Sequence, residues 1–344
     1  MTSLLDNFTA RLSKFPSVGL VDVPTPLRPM PRLSEHLGGP NIWIKRDDAT
    51  HISSGGNKLR KLDRVLYTAV EQGCDTLVSG GVPQSNSQRQ VATAAAILGL
   101  DAALCVFTGR VENDSVLYQN SGNIVLNTLF GATLYPTPWA GDRNGPIKAL
   151  AEKLRAQGRK PFVVPYGVSN AMGALSYSSV IAEIAAQTDE AGIMPKAIIA
   201  ASGSGGTQAG VSLGVQACLP DTAAICIDVD ADAARVMADA VQYAGEAATL
   251  LDIDFDPGQM RLESGYSGEA YGIIAPSTVE AMTLCARLEG VILDPVYTGK
   301  ALAGLIGLIR AGEFARGEDV VFIHTGGAPA TFAYADVIND ALSP

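Results

Sequence analysis

Metal chemistry has little to build on in this chain, which holds three histidines and five cysteines in 344 residues. His36, His51 and His324 lie far apart and no Cys-x-x-Cys pair exists, so the close ligand spacings of zinc and related sites are missing and no metal is expected. Cys74, Cys105, Cys218, Cys226 and Cys285 are odd in number and widely spread, four of them in apolar strand-like or helical stretches. They read as reduced core residues of a cytosolic protein rather than a disulfide framework. Apolar runs of membrane-spanning length are lacking too, and the start Met1-Thr2-Ser3-Leu4-Leu5-Asp6 has neither the basic residues nor the apolar stretch of a signal peptide. The expected location is therefore the cytoplasm. Positive charge is also short. Lys+Arg 25 against Asp+Glu 35 leaves a net charge of -10, which argues against nucleic acid or an anionic membrane as partner. Apolar residues, by contrast, make up 47%. A large core follows, and the length suggests two domains sharing one site.

From about Thr76 onward, short apolar strands alternate with Ala-rich helical stretches, the pattern of parallel sheets covered by helices. The spacing predicts strands at 41–45, 76–79, 102–106, 162–164, 197–200, 224–227 and 320–323. It predicts helices at 86–98, 171–187, 208–218, 278–288 and 300–310. The proline-bearing stretches Pro136-Thr137-Pro138-Trp139 and 161–165 are the expected crossings between domains. No internal repeat or low-complexity segment interrupts the pattern.

Several strand-to-helix junctions carry chemistry. Ser54-Gly55-Gly56-Asn57-Lys58-Leu59-Arg60-Lys61 stands between the turn Arg46-Asp47-Asp48 and a helix marked by Leu59, Leu62, Val65 and Leu66. A lysine there becomes a nucleophile when burial or neighbouring cations such as Arg60 and Lys61 lower its pKa, since the neutral amine condenses with an aldehyde. A surface basic cluster is the plain alternative. Ser202-Gly203-Ser204-Gly205-Gly206-Thr207 follows the apolar Ile198-Ile199-Ala200 and opens a helix; glycine N–H groups, hydroxyls and a helix N-terminus together make a phosphate cradle. A Walker loop would need lysine after the last glycine. A dinucleotide loop would need glycine where Gln208 stands, although Asp228, about twenty residues on, keeps an NAD-binding reading open. Ser85, in Gln84-Ser85-Asn86-Ser87-Gln88-Arg89-Gln90, suits a helix N-cap, behind which exposed N–H groups could receive a carboxylate. Asp294-Pro295-Val296-Tyr297-Thr298-Gly299-Lys300 and His324-Thr325-Gly326-Gly327 are further strand-end loops, and such loops converge in open α/β sheets. Tyr297 alone would pass for a core aromatic, and His324 for a satisfied strand-end residue.

Taken with Pro24-Thr25-Pro26-Leu27, Ile44-Lys45-Arg46-Asp47-Asp48 and Gly173-Ala174-Leu175, these motifs resemble the D-cysteine desulfhydrase and 1-aminocyclopropane-1-carboxylate deaminase family of pyridoxal-phosphate enzymes from about Pro24 to Ala333. The resemblance implies an α/β fold of the tryptophan synthase β type, fold type II. In it, two open, twisted, mainly parallel sheets are covered by helices and the site lies between the domains, here residues 57–165 against 1–56 with 166–344. It further implies that Lys58 binds the cofactor, pyridoxal 5'-phosphate, and moves the substrate's α-proton. Ser202, Gly203, Ser204, Gly205, Gly206 and Thr207, with Lys61, would hold the phosphate, and Asn86 the phenolic oxygen. Ser85 would meet the substrate carboxylate or a proton, and Tyr271 and Tyr297 match the family's two active-site tyrosines. A homodimer is implied as well.

Thr298 would face the pyridine nitrogen, where ring-opening deaminases resemble one another in carrying glutamate. A hydroxyl makes a weaker electron sink than a carboxylate, which suits α,β-elimination from D-cysteine or another β-substituted alanine. The chain departs from the family at Ser87, where histidine is usual, and at Val168 and Ser176, where glycine is usual. Cysteate elimination, ring-opening deamination and a non-catalytic binder that retains the cofactor are the alternatives. The binder would need the phosphate loop but not the full set of Lys58, Ser85, Tyr271 and Tyr297.

Overall fold

Apolar, β-branched runs bounded by Gly, Pro or Asp become strands throughout residues 2–343, which the computed structural model describes. They are β1 Leu27–Pro29, β2 Asn41–Arg46, β3 Thr76–Gly81, β4 Asp101–Thr108, β5 Thr133–Pro138, β6 Pro161–Val163, β7 Pro195–Ser202, β8 Ala223–Asp228, β9 Arg261–Glu263 and β10 Asp319–His324. A six-stranded sheet has the order β1-β2-β10-β7-β8-β9, and a four-stranded sheet the order β5-β4-β3-β6. Every pairing is parallel except that of β1 with β2. The larger sheet is covered on both faces, as parallel sheets are. Ile198 packs on one side with Val180, Ile181 and Leu213, while the next residue, Ile199, packs on the other with Leu302 and Leu305. The smaller sheet is sandwiched in the same way, between the Leu62, Leu66 and Val91 cluster and the Ile147 and Leu154 cluster.

The proline-bearing stretch at 136–139 is mostly strand. Pro136 and Pro138 lie in β5, at the edge of the smaller sheet, where a missing N–H disturbs a single ladder. Helices Thr2–Leu12, Gly145–Ala156 and Ala233–Leu251 were not expected. The last draws its buried face from small alanines, Ala240, Ala244, Ala247 and Ala248, which give a weak apolar period. The predicted helix at 208–218 begins two positions earlier, at Gly206, so the glycine loop itself enters the first turn.

Around the start of helix Asn57–Glu71 lies an ion network that is buried except for a partly exposed Glu183. Arg60 donates to Asp47 (3.0 Å), to both oxygens of Glu183 (2.6 and 2.9 Å) and to Thr25 (2.9 Å). Lys45 reaches Glu183 at 2.8 Å, and the Tyr177 hydroxyl donates to Asp47 at 3.0 Å. Ser176, one of the departures from the family, donates its hydroxyl to the Arg60 carbonyl. These groups tie the helix that begins at Asn57 to β2 and to helix Ala171–Ala191, so the frame that carries Lys58 is held rigidly. Removing one member of such a buried set costs roughly 3–5 kcal/mol.

Candidate active site

Lys58 is the second residue of helix Asn57–Glu71, approached through Gly55 and Gly56. No other residue type fits that approach. Gly55 has φ +64° and a Cβ there would lie 1.7 Å from the Asp48 carbonyl oxygen. Burial pulls the Lys58 ammonium down from 10.5 to about 8, with Asp294 opposing the shift. Its amine lies 3.2 Å from Asn57 Oδ1, and Asn57 Nδ2 donates to Thr207 Oγ1 at 3.0 Å. Asn57 thereby joins the lysine to the glycine loop, a link that its place beside Lys58 in the motif does not by itself reveal.

A narrow cleft opens above this lysine, lined in part by Ser85, Asn86, Ser87, Gly203, Ser204 and Thr207. Tyr166, Asp230, Tyr271, Tyr297, Thr325 and Gly326 complete its walls. Strand-end loops of both sheets therefore meet over Lys58. Ser85 caps helix Asn86–Leu98, accepting the Gln88 N–H at 3.2 Å, and the hydroxyl of Ser87 is buried with no hydrogen-bond partner. The Tyr271 and Tyr297 hydroxyls are 2.5 Å apart. Burial, and for Tyr271 the neighbouring Tyr297 as well, pushes both phenols up, so they stay protonated.

The glycine loop from Ser202 to Thr207 opens a helix, as its sequence suggests. Helix Gly206–Cys218 starts there, Gly205 has φ +78°, and a Cβ at Gly206 would meet Ser169 Oγ at 2.6 Å. The Ser202 hydroxyl is turned to Gln208 Oε1 (2.8 Å) and so shapes the loop. Ser204 shares a hydrogen bond with Ser169 at 2.8 Å. Lys61, one turn along from Lys58, is fully buried with an unpartnered Nζ. Burial and then Lys58 hold its ammonium well below its ordinary value. An unpartnered buried amine and a glycine-rich helix N-terminus are each donors of the kind a phosphate satisfies, although Lys61 itself does not line the cleft.

Thr298 stands behind the cleft lining. Its hydroxyl donates to Asp294 Oδ1 at 2.7 Å and accepts the Asp294 N–H at 2.9 Å. Asp294 also accepts the N–H groups of Val296, Tyr297 and Thr298 at 2.8 to 3.0 Å, and so shapes the whole Tyr297 turn. His324 is buried and bonds the Ile292 carbonyl at 2.9 Å, as a strand-end structural residue does. Val168 has φ +51°, a conformation that favours glycine. Among the described residues no cluster of His, Cys, Asp or Glu could hold a metal ion, and no helix is long and apolar enough to cross a membrane.

Two covered parallel sheets, a lysine in the cleft between their loops and a glycine cradle beside it define a pyridoxal-phosphate enzyme of fold type II. The chain belongs to the pyridoxal-phosphate dependent enzyme family, whose model matches residues 19–326. It is 41% identical to a D-cysteine desulfhydrase of Yersinia enterocolitica, over 94% of this chain and 97% of the relative. It is 40% identical to a D-cysteine desulfhydrase of Salmonella newport, with the same shares. A solved structure described as an ACC deaminase homologue superimposes with a TM-score of 0.88 at 35% identity, covering 98% of this chain and 99% of that one. Threonine deaminase isoform 2 of Solanum lycopersicum, at 19% identity and a TM-score of 0.69, over 99% of this chain and 89% of that one, shares the fold.

Proposed function

We propose that this enzyme catalyses α,β-elimination of D-cysteine to pyruvate, ammonia and sulfide. The observation that carries the reading is the half-buried Lys58 amine, held near neutrality in a cleft with a separate anion cradle and a capped helix N-terminus. The identity to D-cysteine desulfhydrases supports it. When bound, the cofactor supplies an electron sink that acidifies the substrate's Cα–H. Lys61 and the loop Ser202 to Thr207 would hold its phosphate, and Asn86 would donate to its phenolic oxygen. Thr298 would face its ring nitrogen and carries no carboxylate, which disfavours ring-opening deamination.

The protein's own groups divide the remaining work. Lys58 would hold the cofactor, and its free amine would remove the substrate's α-proton. Ser85 and the first N–H groups of its helix receive the substrate carboxylate. The paired phenols of Tyr271 and Tyr297 remain protonated, so one can donate its proton to the departing sulfur while the other hydrogen-bonds the phenolate. Atoms balance with one water: D-cysteine and water give hydrogen sulfide, pyruvate and ammonia. A non-catalytic binder would have no use for this tyrosine pair.

A second reading, elimination of sulfite from cysteate, has one observation in its favour. Arg110 and Arg143, from the smaller sheet's side, converge on Asp230 in the cleft wall at 2.8 and 2.7 Å, and Arg235 joins them at 2.5 Å. A sulfonate could replace the Asp230 carboxylate on those guanidiniums. Turnover of D-cysteine and cysteate side by side, with sulfide, sulfite and pyruvate measured, decides between the two. Sulfide with pyruvate supports the first reading, whereas sulfite with pyruvate and no reaction of D-cysteine overturns it.

The same reading assigns residues 57–165 to a smaller domain and 1–56 with 166–344 to a larger one, places the enzyme in the cytoplasm and makes it a homodimer. The unpaired cysteines, buried except for a partly exposed Cys74, support the location. Exposed Phe332, Ile292 and Leu342, the last two lining an apolar groove with Val279, Met282 and Ile338, are surface of the kind a second copy covers.

A further inference from the structure

Arg89 is a guanidinium with no carboxylate in reach. It lies on helix Asn86–Leu98, fully buried, and no ion pair includes it among the described residues. Burial alone lowers its pKa to about 10. Uncompensated buried cations are costly, and this one is spent entirely on neutral acceptors. Nε donates to Asn123 Oδ1 at 2.9 Å, Nη2 to the Gly55 carbonyl at 3.1 Å, and Nη1 to the Ser53 carbonyl and hydroxyl.

These acceptors lead to the cleft by two routes. Ser53 and Gly55 belong to the loop that delivers Lys58, in which His51, Ser53 and Ser54 all have φ between +49° and +60°. Three non-glycine residues in the left-handed region need outside support, and Arg89 supplies it by capping two carbonyls of that loop. The second route runs through Asn123, also fully buried. Because its Oδ1 faces Arg89, its Nδ2 must face the other way, where it donates to Asn86 Oδ1 and to the Gln84 carbonyl, both at 2.9 Å. Its main-chain N–H donates to Gln84 Oε1 at 2.9 Å and holds the backbone in place, while the donor-only guanidinium of Arg89 facing Oδ1 keeps the side-chain amide from turning over. Asn86 Oδ1 is thereby taken from behind, which leaves the Asn86 Nδ2 donors for the cleft.

We infer that Arg89 and Asn123 are positioning residues that fix the amide of Asn86 with its donor toward the cofactor's phenolic oxygen, and through Arg89 couple that donor to the loop carrying Lys58. The inference rests on the role of Asn86 proposed above, and its test keeps the two separable.

Asn123→Asp is nearly isosteric. It offers Arg89 a carboxylate and so leaves the buried guanidinium better paired, but it sets an acceptor against Asn86 Oδ1. Asn86 must then turn its Nδ2 away from the cleft. In the cofactor-loaded protein the readout is the pH midpoint of the bound cofactor's absorption band. A donor on the phenolic oxygen withdraws the electron density that holds a proton beside it, so losing that donor raises the midpoint. Asn86→Ala and Asn123→Asp should each raise it by about one unit or more, the shift expected for a hydrogen bond to a charged group. The double variant should go no further. Asn123→Ala, which frees the Asn86 amide to turn, should raise it less and serves if the aspartate does not fold. If Asn86→Ala raises the midpoint while both Asn123 variants titrate like wild type, the positioning role is overturned. If Asn86→Ala leaves it unmoved, the proposed contact of Asn86 itself fails, and the inference with it.

Discussion

Replacing Lys61 by methionine should act in opposite directions on the empty and the loaded protein. The substitution keeps an unbranched apolar stem against Tyr177, over whose ring the Lys61 amine sits at 5.8 Å, and deletes a buried Nζ that has no hydrogen-bond partner. In the phosphate-binding role proposed for it, that Nζ would make a charged hydrogen bond worth about 1.5–3 kcal/mol. Its loss should weaken cofactor binding roughly 10- to 150-fold, at about 1.4 kcal/mol per factor of ten. Without cofactor the sign reverses. Burial and Lys58 hold the folded-state pKa of Lys61 below 10.5, so near neutral pH the unfolded chain binds the extra proton more tightly. Wild-type stability therefore rises with pH until about 10.5 is reached. Lys61→Met removes that penalty, so the cofactor-free variant should melt higher than wild type at pH 7 and lose this part of the pH slope. Thermal melts with and without pyridoxal phosphate, together with a fluorescence titration of binding, read both effects. A variant that binds cofactor like wild type, or whose empty form melts several degrees lower, would refute the reasoning.

Covalent capture of pyridoxal phosphate by Lys58 needs the neutral amine, and its pKa is pulled down to about 8. The capture rate, followed by absorbance in stopped flow, should therefore climb about tenfold per pH unit below 8 and level off above it; a profile still rising at pH 10 contradicts the assignment. Gly326→Ala adds a Cβ at φ +92° and 2.8 Å from Gly56 Cα. It should cost about 1–3 kcal/mol of stability and weaken cofactor binding by displacing the loop before Lys58, as melts and titration will show. Phe332→Asp puts a charge on the exposed apolar face and should shift sedimentation from dimer toward monomer, whereas an unchanged dimer would move the interface elsewhere.

Strand and helix periods in the sequence were enough to place every strand but β1, β5 and β9, and helix 86–98 has the predicted ends. Apolar alternation and glycine punctuation are local signals. The Lys58 and Ser202 to Thr207 loops were legible for the same reason, since each carries its chemistry within a few consecutive residues. What was not legible depends on contacts between distant segments. Tyr166 and Asp230 line the cleft only because loops of different sheets meet there. The Asn123 bond to Asn86 spans 37 positions, and Glu183 reaches Arg60 across 123. Thr298, expected to face the cofactor's ring nitrogen, lies behind the cleft lining with its hydroxyl engaged by Asp294, four positions earlier. Val168 and Ser176, visible only as departures from the family, proved to be a residue in the left-handed region and a hydroxyl that closes on the Arg60 carbonyl.

The most direct test incubates cofactor-loaded wild type and Lys58→Ala with D-cysteine and follows pyruvate and sulfide together. The account predicts equal amounts of both products from wild type and neither from Lys58→Ala, even where that variant still holds pyridoxal phosphate through its phosphate loop. Product from Lys58→Ala at the wild-type rate, or no sulfide from a wild-type enzyme that demonstrably binds the cofactor, would contradict it.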